Sequence, residues 1–185
     1  MKPTLPRLIG GLLLVLPLVP AGWAADATAP EGTSANVVIK APATDEHGYL
    51  KLGFEQLAAF TFVPPAFDPA AELKANLPTG EEQIPAIVKS WSGRKAVIVG
   101  YMLPVKMEKG LVTEFLLMRN TQSCCYGAVP NLNEWIVVKM KKGVQPMMDV
   151  PVAFYGEFKV GTIFENGYIS GLYQLDGERM VPVQE

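Results

Sequence analysis

The second half of the chain has the alternating pattern of short β-strands. After Gly93, five stretches are rich in β-branched and aromatic residues, and turn sequences separate them. The predicted strands are 96–105, 112–118, 135–140, 152–158 and 168–175. Turns are predicted at 108–110, 142–143 and 165–167. Because Asn166 and Gly167 both tolerate a positive φ angle, they predict a tight hairpin and an antiparallel last strand pair.

Glycines inside three of the predicted strands indicate how the sheet curves. Gly100, Gly156 and Gly171 stand at positions where a strongly coiled strand would bend. Five short strands with such bends predict a mainly β fold, a small five-stranded OB-like barrel preceded by short helices. A two-sheet β-sandwich is the alternative.

The region before the barrel has the pattern of short helices broken by prolines. Apolar spacing over 49–62 predicts one helix followed by an extended piece, and prolines end it. Good helix formers predict a second helix over 68–77, and helical spacing predicts a third over 84–91.

The first residues have the pattern of a cleavable export signal. Lys2 and Arg7 precede an apolar run at 8–19, and small residues follow at 21–25. A membrane-spanning helix is the competing interpretation, but the run is too short and two prolines interrupt it. The predicted order is a signal peptide at 1–24, a flexible leader at 25–47, a helical or extended segment at 48–92 that packs on the barrel, and an OB-like barrel at 93–185. We therefore expect a bacterial periplasmic protein that does not span the membrane after signal cleavage.

Composition and charge exclude several functional classes. Of the 185 residues, 49% are hydrophobic and 18% charged, which is typical of one folded domain with extras. Removing residues 1–24 takes away two of the 16 basic residues and none of the 18 acidic ones, so the net charge becomes −4. Because nucleic-acid backbones are bound by clustered Lys and Arg, no nucleic-acid partner is expected. Motifs of serine hydrolases, phosphate-binding loops and zinc proteases are absent, so a non-enzymatic function is favoured and catalysis is left open.

Cys124 and Cys125, the only cysteines, are the main candidates for chemistry. Adjacent Cα atoms lie about 3.8 Å apart, below the usual disulfide range of about 4.4 to 6.8 Å, so a bond between them would be strained. A strained disulfide, a free dithiol, thiolate ligands of a soft metal and bonds to another chain all remain open. A thioether such as that of Met118 would complete a copper(I) site, and zinc would lack a fourth protein ligand even with His47. Without any such role, one cysteine packs as a small hydrophobe.

Two further residue sets have both a functional and a structural interpretation. Glu114 and Glu134 would be paired carboxylates if they faced each other across strands, whereas solvated strand-end positions are the alternative. His47, the only histidine, is interpreted as a surface residue.

From Gly93 onward, the chain resembles a known bacterial family. The motifs that carry the resemblance are residues 93–104 (GRKAVIVGYMLP), 113–118 (TEFLLM), 123–127 (SCCYG) and Asn133. They are similar to the exported family named domain of unknown function 3299, over about residues 84 to 176. The resemblance implies export and an OB-like barrel, and it implies no established activity.

The same resemblance extends to the cysteine loop. The family's loop has a Cys-x-His element, a proline-rich run and an Asn, and Cys124 and Asn133 stand at the matching positions. Tyr126 replaces the histidine and Cys125 fills the gap, which weakens a metal role taken from a Cys-x-His pair. The chain therefore resembles a Cys-Cys-Tyr-Gly subgroup.

These observations predict a binding or accessory module of the cell envelope. Its loop from Asn120 to Asn133 would bind a small molecule, a protein partner or a soft metal ion such as copper or zinc. The predicted redox or ligand-binding residues are Cys124, Cys125, Tyr126 and Asn133, and the predicted metal ligands are Cys124, Cys125 and Met118. Asn133 is expected to fix the loop by side-chain hydrogen bonds to backbone groups. A thiol redox protein that uses the cysteine pair and a purely structural envelope protein are the alternatives.

Overall fold

The computed structural model describes residues 38–66, 78–121 and 130–183 of the chain. All of them belong to one unit of the chain, Asn36–Glu185. Its elements are β1 (Leu50–Leu52), α1 (Phe54–Leu57), a short 3-10 helix (Glu81–Gln83), α2 (Ala86–Lys89), β2 (Arg94–Glu108), β3 (Leu111–Met118), β4 (Trp135–Val144), β5 (Val152–Glu165) and β6 (Tyr168–Pro182).

Strands β2 to β6 pair in a ring. The sheet order is β1-β2-β3-β4-β6-β5, and β5 also pairs with β2. The β1–β2 and β4–β6 pairs are parallel, and the other pairs are antiparallel. The predicted mainly β class is confirmed, and this ring is compatible with an OB-like barrel as well as with a two-sheet sandwich.

The five predicted strands are all present, and several are longer than their apolar stretches. Strand β5 continues to Glu165 and β6 to Pro182, because the two pair with each other along most of their length. The predicted turn at 142–143 is wrong: both residues lie inside β4. A Cβ on Gly143 would lie 2.7 Å from the Cβ of Leu111, so this glycine allows two strands to approach closely.

The two remaining predicted turns are confirmed. Asn166 and Gly167 have φ angles of 51° and 83° between β5 and β6. Lys109 and Gly110, with φ angles of 51° and 81°, connect β2 and β3 in the same way. Consecutive positive φ angles match the twist of the flanking strands, so both hairpins turn tightly.

The helices are shorter than their patterns predict. Helix α1 occupies only four residues of the first predicted helix, and α2 occupies four residues of the third. Pro85 precedes α2 and Gly93, with a φ angle of 78°, follows it, so the chain has room for little more than one turn. The predicted helix over 68–77 lies outside the described residues. Within the described ranges, no helix has both the length and the apolar character needed to cross a membrane.

The core joins the inner face of the strands to the short elements before them. The rings of Phe115 and Phe154 lie 4.7 Å apart between centroids, and Leu57 and Val88 are fully buried in the same cluster. Burial of one side chain of this size contributes about 1.5–3 kcal/mol to the free energy of unfolding. The hydroxyl of Tyr173 donates a hydrogen bond to the Leu57 carbonyl at 2.8 Å, which fastens α1 to β6.

Candidate binding site

An apolar cavity of about 460 Å³ lies where the segment after α1 meets the start of β4 and the end of the β5–β6 hairpin. We call it the aromatic cavity, and its main lining side chains are Phe62, Pro65, Leu132, Trp135, Phe164 and Tyr168. Among the described lining residues none is charged. Phe62 is buried, whereas Phe164 and Tyr168 are 37% and 58% exposed, so the cavity is open on the hairpin side.

The Phe62 wall is fixed by one glutamine. The side-chain amide of Gln83 donates a hydrogen bond to the Val63 carbonyl at 2.9 Å and accepts one from the Val63 N–H at 3.0 Å. These two hydrogen bonds satisfy the N–H and the carbonyl of Val63, as the backbone of a neighbouring strand would. The segment around Phe62 is therefore bonded to Gln83 without being part of the sheet.

Asn133 connects two walls of the aromatic cavity. It is 2% exposed, and its Nδ2 donates a hydrogen bond to the Phe60 carbonyl at 2.6 Å. Leu132 on one side of this bond and Phe62 on the other both line the cavity. Its side chain thus bonds a backbone group as expected, but the partner lies 73 residues away rather than in its own loop.

The hairpin wall is held by Trp135. The indole Nε1 donates a hydrogen bond to the Ser170 carbonyl at 3.0 Å, which keeps the start of β6 against β4. A Cβ on Gly171 would lie 3.3 Å from that nitrogen, so the glycine gives the indole space. Trp135 and Phe164 also line a smaller cavity of about 270 Å³ beside β3 and β4. The aromatic surface therefore continues across the face of these strands.

The paired-carboxylate hypothesis is wrong because the two glutamates have other partners. Glu114 in β3 stands opposite Lys139 in β4. The carboxylate of Glu134 accepts hydrogen bonds from the backbone N–H of Asn131 at 2.6 Å and from its side chain at 3.3 Å. Glu134 thus shapes the turn before β4.

A second cavity, of about 930 Å³, has a rim of both charges. We call it the charged cavity, and it lies beside residues 44–55 and the outer surface of β2, β5 and β6. The ring of Tyr155 lies beneath the guanidinium of Arg179, whose carbon is 3.9 Å from the ring centroid. His47 is exposed at this rim, 3.5 Å from a carboxylate oxygen of Glu46.

The predicted cysteine site is only partly within the described residues. Cys124, Cys125 and Tyr126 lie outside them, so their proposed roles stay predictions. Met118 is 6% exposed at the end of β3. In the part of the chain that the structure describes, no group of three or more His, Cys, Asp or Glu side chains is arranged to hold a metal ion.

A family sequence model matches residues 67–182, more than half of the chain. It is the family described as protein of unknown function, DUF3299. The chain belongs to the DUF3299 family. The resemblance seen in the sequence is thereby confirmed at the level of the family, and the Cys-Cys-Tyr-Gly subgroup stays a prediction.

A solved relative has the same family assignment. The crystal structure of a DUF3299 family protein from Pseudomonas aeruginosa PAO1, at 2.45 Å resolution, superposes on the chain with a TM-score of 0.54. The two sequences are 29% identical, and the match covers 75% of this chain and 98% of the other. No curated protein matches the chain significantly. The comparisons therefore assign this DUF3299 protein to a family and not to an activity.

The aromatic cavity was missed by the sequence analysis, although two signals for it were present. Phe164 and Tyr168 flank the predicted Asn-Gly turn, so the sequence places two aromatic side chains at one end of a hairpin. Prolines at 64, 65, 78 and 130 mark the segments that meet at the cavity. Neither signal shows that these segments meet, because they are far apart in the sequence.

Proposed function

We propose that this DUF3299 protein is a non-enzymatic binding module of the cell envelope whose aromatic cavity holds a small, uncharged and largely apolar ligand. The observation that carries this proposal is the cavity itself. Its volume of about 460 Å³ lies in the range of about 300–1,000 Å³ typical of small-molecule sites, and its lining is aromatic, aliphatic and proline-rich.

The rigidity of the walls supports binding. Gln83 fixes the segment of Phe62, Asn133 joins that segment to the loop before β4, and the Trp135 indole holds the hairpin. Prearranged walls leave little conformational entropy to be lost when a ligand binds. A ligand that covers the exposed parts of Phe164 and Tyr168 gains about 25 cal/mol of binding free energy for each Å² of apolar surface removed from water.

The absence of charge among the described lining residues determines the class of ligand. A single nucleic-acid strand also stacks on aromatic side chains, but it needs a basic groove for its phosphates. The described charged residues of the adjoining cavity are Glu114, Glu165 and Lys139, so a single basic residue stands there, and Glu114 stands opposite it in the β3–β4 register. An uncharged ligand with a ring or a short aliphatic chain suits the cavity better, and Asn131 supplies one polar group at its edge.

A neutral fluorophore tests the proposal. N-phenyl-1-naphthylamine is titrated into the purified protein, into the Phe164→Ala variant and into a control, Met107→Ala. Met107 is 52% exposed on the other hairpin and does not line the cavity. We expect saturable binding that is about tenfold weaker in the Phe164 variant, since one large apolar contact is lost, and unchanged in the control. Equal affinity of both variants, or no saturable binding by the unmodified protein, would overturn the proposal.

Export to the periplasm is part of the proposal and is supported by the sequence of residues 1–24. A thiol redox function of Cys124 and Cys125 is the second candidate, supported by their adjacency, because a disulfide between neighbouring residues would be strained and easily reduced. Thiol titration in glutathione buffers tests it. The redox proposal fails if the thiol content of the folded protein stays constant across the range of potentials.

A further inference from the structure

The floor of the charged cavity is apolar. On β2, Ile98 is fully buried in the core, while Val97 and Val99 point to the other side of the sheet. Their partners on β5 are Tyr155 opposite Val97 and Ala153 opposite Val99. Val99 is 48% exposed although its neighbours are nearly covered. The cavity therefore offers apolar contact area at its base.

One wall of the cavity is a turn held by hydrogen bonds. The Asp45 carboxylate accepts hydrogen bonds from the backbone N–H groups of His47 at 2.9 Å and Tyr49 at 2.8 Å. The N–H of Lys51 donates to the Ala43 carbonyl at 2.8 Å. These bonds hold the turn beside the floor, so the cavity does not depend on a ligand for its shape.

Arg179 lies over the ring of Tyr155, and a second tyrosine packs against that ring. Arg179 stands opposite Tyr155 in the β5–β6 register, and its guanidinium lies 3.9 Å above the Tyr155 ring. The edge-to-face contact of Tyr49 with Tyr155, 5.1 Å between centroids, fixes that ring in turn. Stacking uses the face of a guanidinium and leaves the N–H groups in its plane available for an anion.

The acidic side chains at the rim are directed toward groups other than the two arginines. Asp45 is bound by the turn, and a Glu46 oxygen lies 3.5 Å from His47. Glu55 folds back over Gly53, since its carboxylate stands where a Cβ on Gly53 would be. In contrast, Arg119 and Arg179 form no ion pair within the described ranges. Among the described residues, Arg119 and Arg179 thus line a cavity whose carboxylates are not ion-paired with either of them.

We propose that the charged cavity is a second binding site, for a small organic anion with an apolar body. The carboxylate or sulfonate group of the ligand is bound by Arg179 and Arg119, and its ring or aliphatic chain lies on Val99 and Ala153. Bidentate hydrogen bonds from a guanidinium are the typical recognition of such planar anionic groups. This site is separate from the aromatic cavity, because the two share no lining residue among those described.

Benzoate and its neutral analogue benzyl alcohol test this proposal. Each is titrated into the purified protein and followed by calorimetry and by chemical-shift changes. We expect benzoate to bind and benzyl alcohol to bind at least about tenfold more weakly at this site, because a charge-assisted hydrogen bond is lost. Higher salt should weaken benzoate binding, since exposed charges are screened.

Four variants locate the binding. Arg179→Ala should weaken benzoate about tenfold, and Arg179→Lys should recover only part of this because lysine has no planar donor pair. Arg94→Ala is the matched control, since Arg94 is also exposed on the sheet but does not line the cavity. Phe164→Ala should leave benzoate binding unchanged, which separates this site from the aromatic cavity. Equal effects of the Arg179 and Arg94 substitutions, or benzyl alcohol binding as tightly as benzoate by the chemical shifts of residues that line the charged cavity, would overturn the proposal.

Discussion

At the scale of single residues, sequence and structure agree on Asn133 and differ in what it contacts. The sequence marks it as a polar residue that bonds backbone, and its Nδ2 does donate to a carbonyl. Its partner, Phe60, was not predictable, because no local rule relates two residues that are 73 positions apart. The same holds for Trp135, whose bond to Ser170 depends on how β4 and β6 approach each other.

Replacing Asn133 should destabilise the protein. Asn133→Ala removes the donor and leaves the part-buried Phe60 carbonyl without its partner, which typically costs about 1–3 kcal/mol. Asn131→Ala is the control, because Asn131 is exposed and its bonds to Glu134 are at the surface. Urea unfolding of both variants gives the comparison. A free energy of unfolding that falls equally in the two would show that the Asn133 bond has no special role.

Tyr173 should make stability fall at alkaline pH. Burial raises the pKa of its hydroxyl far above the ordinary value, and the same hydroxyl donates to the Leu57 carbonyl. Below the pKa of tyrosine in the unfolded chain, about 10, the hydroxyl is neutral in both states, so its ionisation makes no contribution to the pH dependence of stability. Above that pH the unfolded chain loses the proton and the folded protein keeps it, so the free energy of unfolding decreases.

The Tyr173→Phe variant isolates this effect. Phenylalanine cannot ionise, so unfolding measured between about pH 8 and pH 11 should show a smaller decrease for the variant than for the unmodified protein. The variant should also be less stable at neutral pH by about 1 kcal/mol, through loss of the hydrogen bond. Parallel pH profiles for the two proteins would contradict the assignment.

At the scale of elements, strand positions followed from the sequence more closely than strand ends did. Apolar, β-branched stretches predict all five ring strands, since one face of each is buried. The extensions of β5 and β6 are more polar and depend on their mutual pairing, which a single strand does not encode. A glycine in the sequence is compatible with a turn or with a strand. Gly167 lies in a turn, whereas Gly143 lies within a strand and lets the neighbouring strand approach closely.

Gly156 should be the least replaceable glycine of the β5–β6 pair. A Cβ there would lie 2.3 Å from the Asp176 carbonyl oxygen, at a position where the register of the two strands shifts. Backbone cannot move aside as a side-chain end can, so Gly156→Ala should cost about 3 kcal/mol or prevent folding. Gly110→Ala is the control, because its Cβ meets open space and only the positive φ angle of 81° is strained. A loss no larger than that of the control, measured by urea unfolding, would be evidence against the close approach.

At the scale of the whole molecule, the ring order and the two cavities arise from contacts that cross the sequence. The parallel β4–β6 pair joins strands that β5 separates in the chain, and periodicity alone does not reveal it. The sequence therefore predicted the fold class and the family while it placed the candidate site on the cysteine loop. The aromatic cavity requires Phe62, Trp135 and Phe164 to meet, and only the folded chain brings them together.

The most direct test of the central claim is an NMR titration that follows tryptophan indole N–H signals, assigned with Trp→Phe variants. Trp135 lines the aromatic cavity, whereas Trp91 is 2% exposed in the core and serves as an internal control. On addition of N-phenyl-1-naphthylamine, we expect the Trp135 signal to shift saturably while the Trp91 signal stays in place. A Trp135 signal that does not move, or equal shifts of both signals, would contradict the assignment of the aromatic cavity as the binding site.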